Sequence, residues 1–157
     1  MMTVSDDAVL KKRRRRAVAL VALLIVLPPL LYFVVIPRTE LKVRVFYNEG
    51  VLNRINIDPE LRNAGTLALE RVILRVEVVD SKDSEMGERE YRVSSVPAFA
   101  PPHRLDALTF RGDQYDSYTI IITIEFVAGG KCFKARWSHT TGEPWMNQEW
   151  EDSIFSF

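Results

Sequence analysis

The chain has 157 residues, 47% hydrophobic and 27% charged, with 21 basic side chains against 21 acidic ones, enough for one modest domain. The zero sum hides an asymmetry: residues 1–16 hold Lys11, Lys12, Arg13, Arg14, Arg15 and Arg16 against Asp6 and Asp7, a net +4, so the uncharged stretch that follows leaves −4 for residues 38–157. A basic run beside an apolar stretch and a mildly acidic remainder exclude nucleic-acid binding, which needs basic surface facing phosphates.

Ala17–Ile36 (AVALVALLIVLPPLLYFVVI) is 20 residues without a charge, and at about 1.5 Å per helical residue it reaches the ~30 Å of a bilayer's hydrocarbon core. The sequence therefore predicts one transmembrane helix over 17–37, with membrane lipid as its surroundings. A cleaved secretory signal fits less well. The apolar run exceeds the ~7–15 residues of a signal core, and VVIPRTE offers no small-x-small cleavage site. The six basic residues before the span, against Arg38 and Lys42 after it, place the N-terminal end in the cytoplasm and the C-terminal part outside. Pro28 and Pro29 predict a kink in mid-span.

Beyond the span the periodicity changes to alternation, the mark of half-buried strands. Leu41, Val43, Val45 and Tyr47 share one face of a first strand, and Asn48-Glu49-Gly50 is a turn. Val51–Ile57 is a second strand, which Asp58-Pro59 interrupts as an edge or bulge. Leu69–Val79 sets Val72, Leu74, Val76 and Val78 on one side. Asp80–Gly87 is a polar loop, and Arg89–Val96 alternates again through Tyr91 and Val93. Pro97, Pro101 and Pro102 cross between sheets. Leu105–Phe110, Ser117–Val127 and Lys131–Ser138 complete the set, the last two joined by the hairpin turn Ala128-Gly129-Gly130. Seven or eight strands with no amphipathic helix between them predict an all-β, immunoglobulin-like sandwich over 38–140, followed by a tail over 141–157.

INIDPELRNAGTLALERVILRVEVVD and LDALTFRGDQYDSYTIIITIEF carry a family resemblance. Asn63-Ala64-Gly65 ends a strand before a run of alternating valines, and Gly112-Asp113 makes the turn before the closing strand. This resembles the CARDB and related fibronectin-like sandwich domains of archaeal and bacterial cell surfaces. The water-stress type of plant and archaeal sandwich, also often preceded by one membrane span, is similar. Either resemblance implies binding or scaffolding, and neither implies a catalytic residue.

Candidate chemistry is sparse. Cys132 is the only cysteine, so no internal disulfide staples the domain, and a small buried apolar group is its plainest role. His103, Cys132, His139 and Met146 follow the ligand order of blue-copper sandwiches. Cys132 and His139 are an odd number of positions apart, however, which points them to opposite faces of one strand. Asp80, Asp83, Glu85 and Glu88 offer oxygen ligands for calcium, without the EF-hand spacing. There is no GxSxG, HExxH, Walker loop or GxGxxG, and no cofactor or enzymatic activity is expected. The tail TTGEPWMNQEWEDSIFSF carries large apolar groups among acidic ones. It reads either as a last strand or strap on its own sandwich or as a docking segment, with Trp145, Trp150, Phe155 and Phe157 as the partner-binding candidates. The sequence thus predicts a single-pass accessory or scaffolding subunit. A tethered electron-transfer sandwich is the alternative, and an anchored cell-envelope link, similar in layout to archaeal motility-machine stators, is a third.

Overall fold

A computed structural model describes residues 4–34, 36–49, 53–113, 115–142 and 147–157, with the backbone alone at 4–13, 16, 33, 34 and 49. The chain forms two compact units, Met1–Ile36 and Pro37–Phe157. In the first, helix α1 (Val4–Val34) is 31 residues long. It begins well before the expected Ala17, because Lys and Arg are good helix formers and the basic run simply continues the helix. It also runs on through Pro28 and Pro29. Every side chain from Ala17 to Tyr32 is exposed. Among the described residues no helix is long and apolar enough to cross a membrane.

The second unit is an all-β sandwich, with nine strands among the described residues: β1 (Thr39–Glu49), β2 (Arg54–Asn63), β3 (Leu69–Val79), β4 (Glu85–Val96), β5 (His103–Arg104), β6 (Leu108–Arg111), β7 (Thr119–Ala128), β8 (Lys131–Thr140) and β9 (Gln148–Ser156). One sheet has the order β5-β2-β1-β9, with β6 also on β2; the other has the order β4-β3-β7-β8. All pairings are antiparallel. The proline segment 97–102 carries the chain from one sheet to the other, as its lack of backbone donors requires.

Alternation decides which side chains fill the core. Leu41, Val43, Val45 and Tyr47 of β1 face Leu74, Val76 and Val78 of β3 and Ile120, Ile122 and Ile124 of β7 in one buried cluster, each fully shielded from solvent. Gly129 and Gly130, at φ 55° and 76°, close the β7–β8 hairpin as a two-residue turn that needs positive φ at both positions.

Three expected boundaries are corrected. Asp58-Pro59 does not interrupt β2. The Pro59 carbonyl accepts the Leu105 N–H at 2.9 Å, and a residue's N–H and C=O point to one side of a strand. The missing donor therefore falls in the gap between β6, paired at Arg54–Ile57, and β5, paired at Glu60–Leu61. The acidic loop is shorter than 80–87, since the Asp80 carboxylate accepts the Lys82 and Ser84 amides at 2.8 Å each and turns the chain within five residues. The third correction is β9. The sandwich does not end at 140, because the tail folds back as its last strand, with Thr39–Tyr47 pairing residue for residue with Gln148–Ser156.

Asn63 and Gly65, singled out in the sequence, knit the end of the sandwich at which the chain enters. The Asn63 side chain is fully buried. Its Nδ2 donates to the carbonyls of Leu67, Val96 and Pro97, at 2.9, 3.2 and 2.9 Å, and its Oδ1 accepts the Gly65 N–H at 3.0 Å. A Cβ on Gly65 would lie 2.6 Å from both the Arg38 carbonyl oxygen and the Glu40 nitrogen, neither of which can swing away. Asn63→Ala strands several buried backbone groups and is expected to lower stability by ~1–3 kcal/mol. A urea midpoint unchanged from wild type would show that water replaces the amide without loss.

Candidate functional site

The two sides of the sandwich are closed differently. Along β4 and β6 the seam is tight: Arg89 donates to the Ala107 carbonyl at 2.8 Å and to the Asp106 carboxylate at 3.0 Å, while the Tyr91 hydroxyl donates to the Asp106 carbonyl at 2.7 Å. Leu108 and Phe110 fill the space beneath and are buried. Along β8 and β9 each sheet ends in an edge strand with no neighbour beyond it among the described residues.

That edge has a consequence for the core face of β8. Phe133, Ala135, Trp137 and His139 are the register partners of Phe126, Ile124, Ile122 and Ile120. The four β7 residues are buried, whereas the four on β8 are only half-buried. The core face of β9 is similar, with Trp150, Asp152 and Ile154 half-buried. A latch bridges the two strands: the His139 Nε2 lies 2.6 Å from the Asp152 Oδ2, and the His139 ring stacks on Trp150 at 5.4 Å and 16°. The result is an apolar rim of Phe133, Trp137, Trp150 and Ile154 along an unpaired, ten-residue strand edge. Such an edge accepts an added strand from another chain, and Lys134 and Arg136 on its outer face guard it against indiscriminate pairing.

The outer face of β9 is held by charge. Arg44 lies 3.0 Å from Glu149, 2.8 Å from Glu151 and 3.9 Å from Glu60, and the Lys42 Nζ lies 2.9 Å from Glu151. The hydrogen bond from Lys42, then that from Arg44, holds the Glu151 carboxyl below the ordinary carboxylate range. A carboxyl depressed in the folded state contributes stability above its unfolded value, about 4.3, and loses it as the pH falls through the folded one. Acidification below about pH 4.3 should therefore loosen β9. Glu151→Gln should flatten that part of the stability profile at a cost near neutrality within the ~0.2–1 kcal/mol of exposed pairs. Thermal melts of both proteins between pH 3 and 7 check this, and parallel profiles would refute it.

The candidate residues fall in separate places. Trp145 and Met146 lie outside the described residues. Trp150 lines the rim. Phe155 and Phe157 sit at the far end of β9, about half and two-thirds exposed, with their rings edge to face at 4.8 Å. The basic run Lys11–Arg16 lies within α1. Cys132 is exposed on the outer face of β8 while His139 turns to the core face, and His103 is on β5 at the opposite edge of the other sheet. These three do not converge as copper ligands. Nor does the acidic loop gather around a cation, for the Asp80 carboxylate is taken by its own loop and Glu88 pairs with Arg75 at 3.0 Å. Among the described residues no group of three or more His, Cys, Asp or Glu side chains is placed to hold a metal ion. The latch and Trp137 were missed, because His139 and Asp152 meet across two sheets and no local spacing announces them.

No family model and no curated protein sequence matches the chain. Solved structures similar to it include a beta-glucuronidase from Parabacteroides merdae, at 10% identity and TM-score 0.42 over 62% of this chain and 13% of that one. The same enzyme with glycerol in its active site gives 10%, 0.41, 61% and 12%. A beta-glucuronidase of glycoside hydrolase family 2 gives 11%, 0.38, 64% and 13%. The chain thus spans about one-eighth of the length of these enzymes.

Proposed function

We propose that the chain is a single-pass, membrane-anchored accessory or scaffolding subunit whose Ig-like sandwich binds another protein subunit outside the cytoplasm. The observation that carries this reading is the uncovered apolar run. All sixteen side chains of 17–32 are exposed, far more contiguous apolar surface than a protein leaves in water, and the sequence continues apolar through Ile36. Lipid is the solvent that suits it. The basic cluster Lys11–Arg16 supports a cytoplasmic N-terminus. The Ig-like reading is supported by the sheet partition, five antiparallel strands (β5, β2, β1, β9 and β6) facing four (β4, β3, β7 and β8) with alternate side chains turned to the shared core.

The surface that fits a protein partner is the β8–β9 rim, where Trp137 and Trp150 offer aromatic anchors beside unpaired backbone. A photo-crosslinking residue at Ser138, exposed on β8, should capture a partner in cells, while the same residue at Thr109, on β6 across the sandwich, should not. Protease added to intact cells or spheroplasts should remove the sandwich. Protection of the sandwich until lysis would overturn the orientation, and equal crosslinking at both positions would overturn the rim.

A further inference from the structure

The sandwich has two unlike poles. The chain enters at one, where Thr39 begins β1. The loops of that pole are Ala64–Ala68, Pro97–Pro102 and Gly129–Gly130, joined by Ser156-Phe157, and none of them contains a charged residue. Two loops of the opposite pole, Asp80–Ser84 and Gly112–Tyr118, carry Asp80, Asp83, Asp113 and Asp116 against Lys82 alone. The large apolar side chains that the sandwich exposes divide the same way. Phe99, Phe155 and Phe157, exposed by 53%, 50% and 65%, stand at the entry pole, and only Tyr115 stands at the other among the described residues.

The loops of the entry pole are tied together by backbone hydrogen bonds. Ala64 N–H donates to Glu40, Thr66 and Leu67 N–H to Arg38, and Phe99 N–H to the Gly65 carbonyl at 3.2 Å. The guanidinium of Arg38 is drawn inward, with Nη2 3.4 Å from the Ala64 carbonyl and Nε 3.6 Å from Glu40. Arg62, Arg71 and Lys131 stand exposed around the margin, against Glu70.

We propose that this pole rests on the lipid surface, with Phe99, Phe155 and Phe157 in the interfacial layer. The inference rests on the anchored reading above and adds to it a fixed posture of the sandwich. Its occupant is a bilayer because of the tether: from Val34, the last helical residue, to Thr39 there are four intervening residues, which reach at most about 18 Å when extended. A headgroup layer is several ångströms thick, so when a helix is held in the bilayer, the pole at which the chain enters is the part of the sandwich tethered nearest the interface. An uncharged, aromatic-bearing surface loses nothing there, and the basic margin suits lipid phosphates. The acidic pole then points away from the membrane.

Full-length protein with Cys132→Ser tests this after reconstitution into phosphatidylcholine vesicles that contain spin-labelled lipid. A fluorophore is placed in turn at Ala68→Cys on the entry pole, Ser81→Cys on the opposite pole and Ala22→Cys in α1. The expected result is quenching by headgroup-labelled lipid at position 68, quenching by acyl-labelled lipid at position 22 and none at position 81. Adding Phe99→Ser and Phe157→Ser should cut the quenching at position 68 at least two-fold while circular dichroism stays unchanged. Quenching at position 22 without any at position 68 overturns the seated pole and leaves the anchor standing. Absence of quenching at position 22 overturns the anchor and the seated pole together. Quenching at position 68 that survives the double substitution overturns the role given to the phenylalanines.

Discussion

Replacing Leu74 or Val76 by Asp is expected to abolish folding of the sandwich. Both side chains are fully buried between the sheets, and their register neighbours on β7, Ile124 and Ile122, are equally shielded. A carboxylate there has no cation or donor to meet. It either remains ionised at a cost of several kcal/mol or takes up a proton and still sits as a polar group among alkyl chains. A domain of this size has roughly 5–15 kcal/mol of stability in all, so either outcome removes much of it. Glu77→Lys, one position along on the outer face, is the control. Glu77 lies directly across from Glu88 on β4, and like charges in register repel, so the substitution should leave stability within about 0.5 kcal/mol of wild type or raise it slightly. Far-ultraviolet circular dichroism with urea titration distinguishes the two. Equal tolerance of both changes would mean that the register of β3 is wrong.

Where alternation is strong, the strands were legible in advance. β3 has the bounds its valines announce, and β1 has the expected inner face, because a strand covered on one face by a full sheet must place an apolar side chain at every second position. β9 stayed undecided between a last strand and a docking tail for the converse reason. Its inner face reads Gln148, Trp150, Asp152, Ile154, Ser156, only two of them apolar. It lies at a rim that the other sheet covers only in part, where polar residues at core-side positions cost little. The break expected at Asp58-Pro59 failed because proline excludes itself only where a ladder needs its N–H, and β5 and β6 leave that place vacant. The uncharged run was legible as a helix but not in extent, since the pattern that marks apolar solvent says nothing about how far basic helix formers prolong it. Of the proposed surfaces, the aromatic tail could be read from composition. The rim could not, because it is made by two strands ending at the same place in space.

Deleting 148–157 should destabilise the sandwich severely, in contrast to the behaviour of a free docking tail. β9 hydrogen-bonds along β1 from Thr39 to Tyr47, so its loss leaves that edge of β1 unpaired. It also removes Trp150 and Ile154 from the core margin and leaves His139 without Asp152. Full burial of a large side chain contributes about 1.5–3 kcal/mol. Two half-buried ones, together with a strand's ladder, amount to a large share of a small domain's stability. Phe155→Ser with Phe157→Ser is the informative counterpart. Those rings are about half and two-thirds exposed and meet edge to face outside the buried cluster, so the double variant should melt within a few degrees of wild type. If the deletion melted like wild type, β9 would contribute nothing to the fold and its residues would be free for a partner. If the double phenylalanine variant melted as early as the deletion, those rings would belong to the core rather than to an external surface.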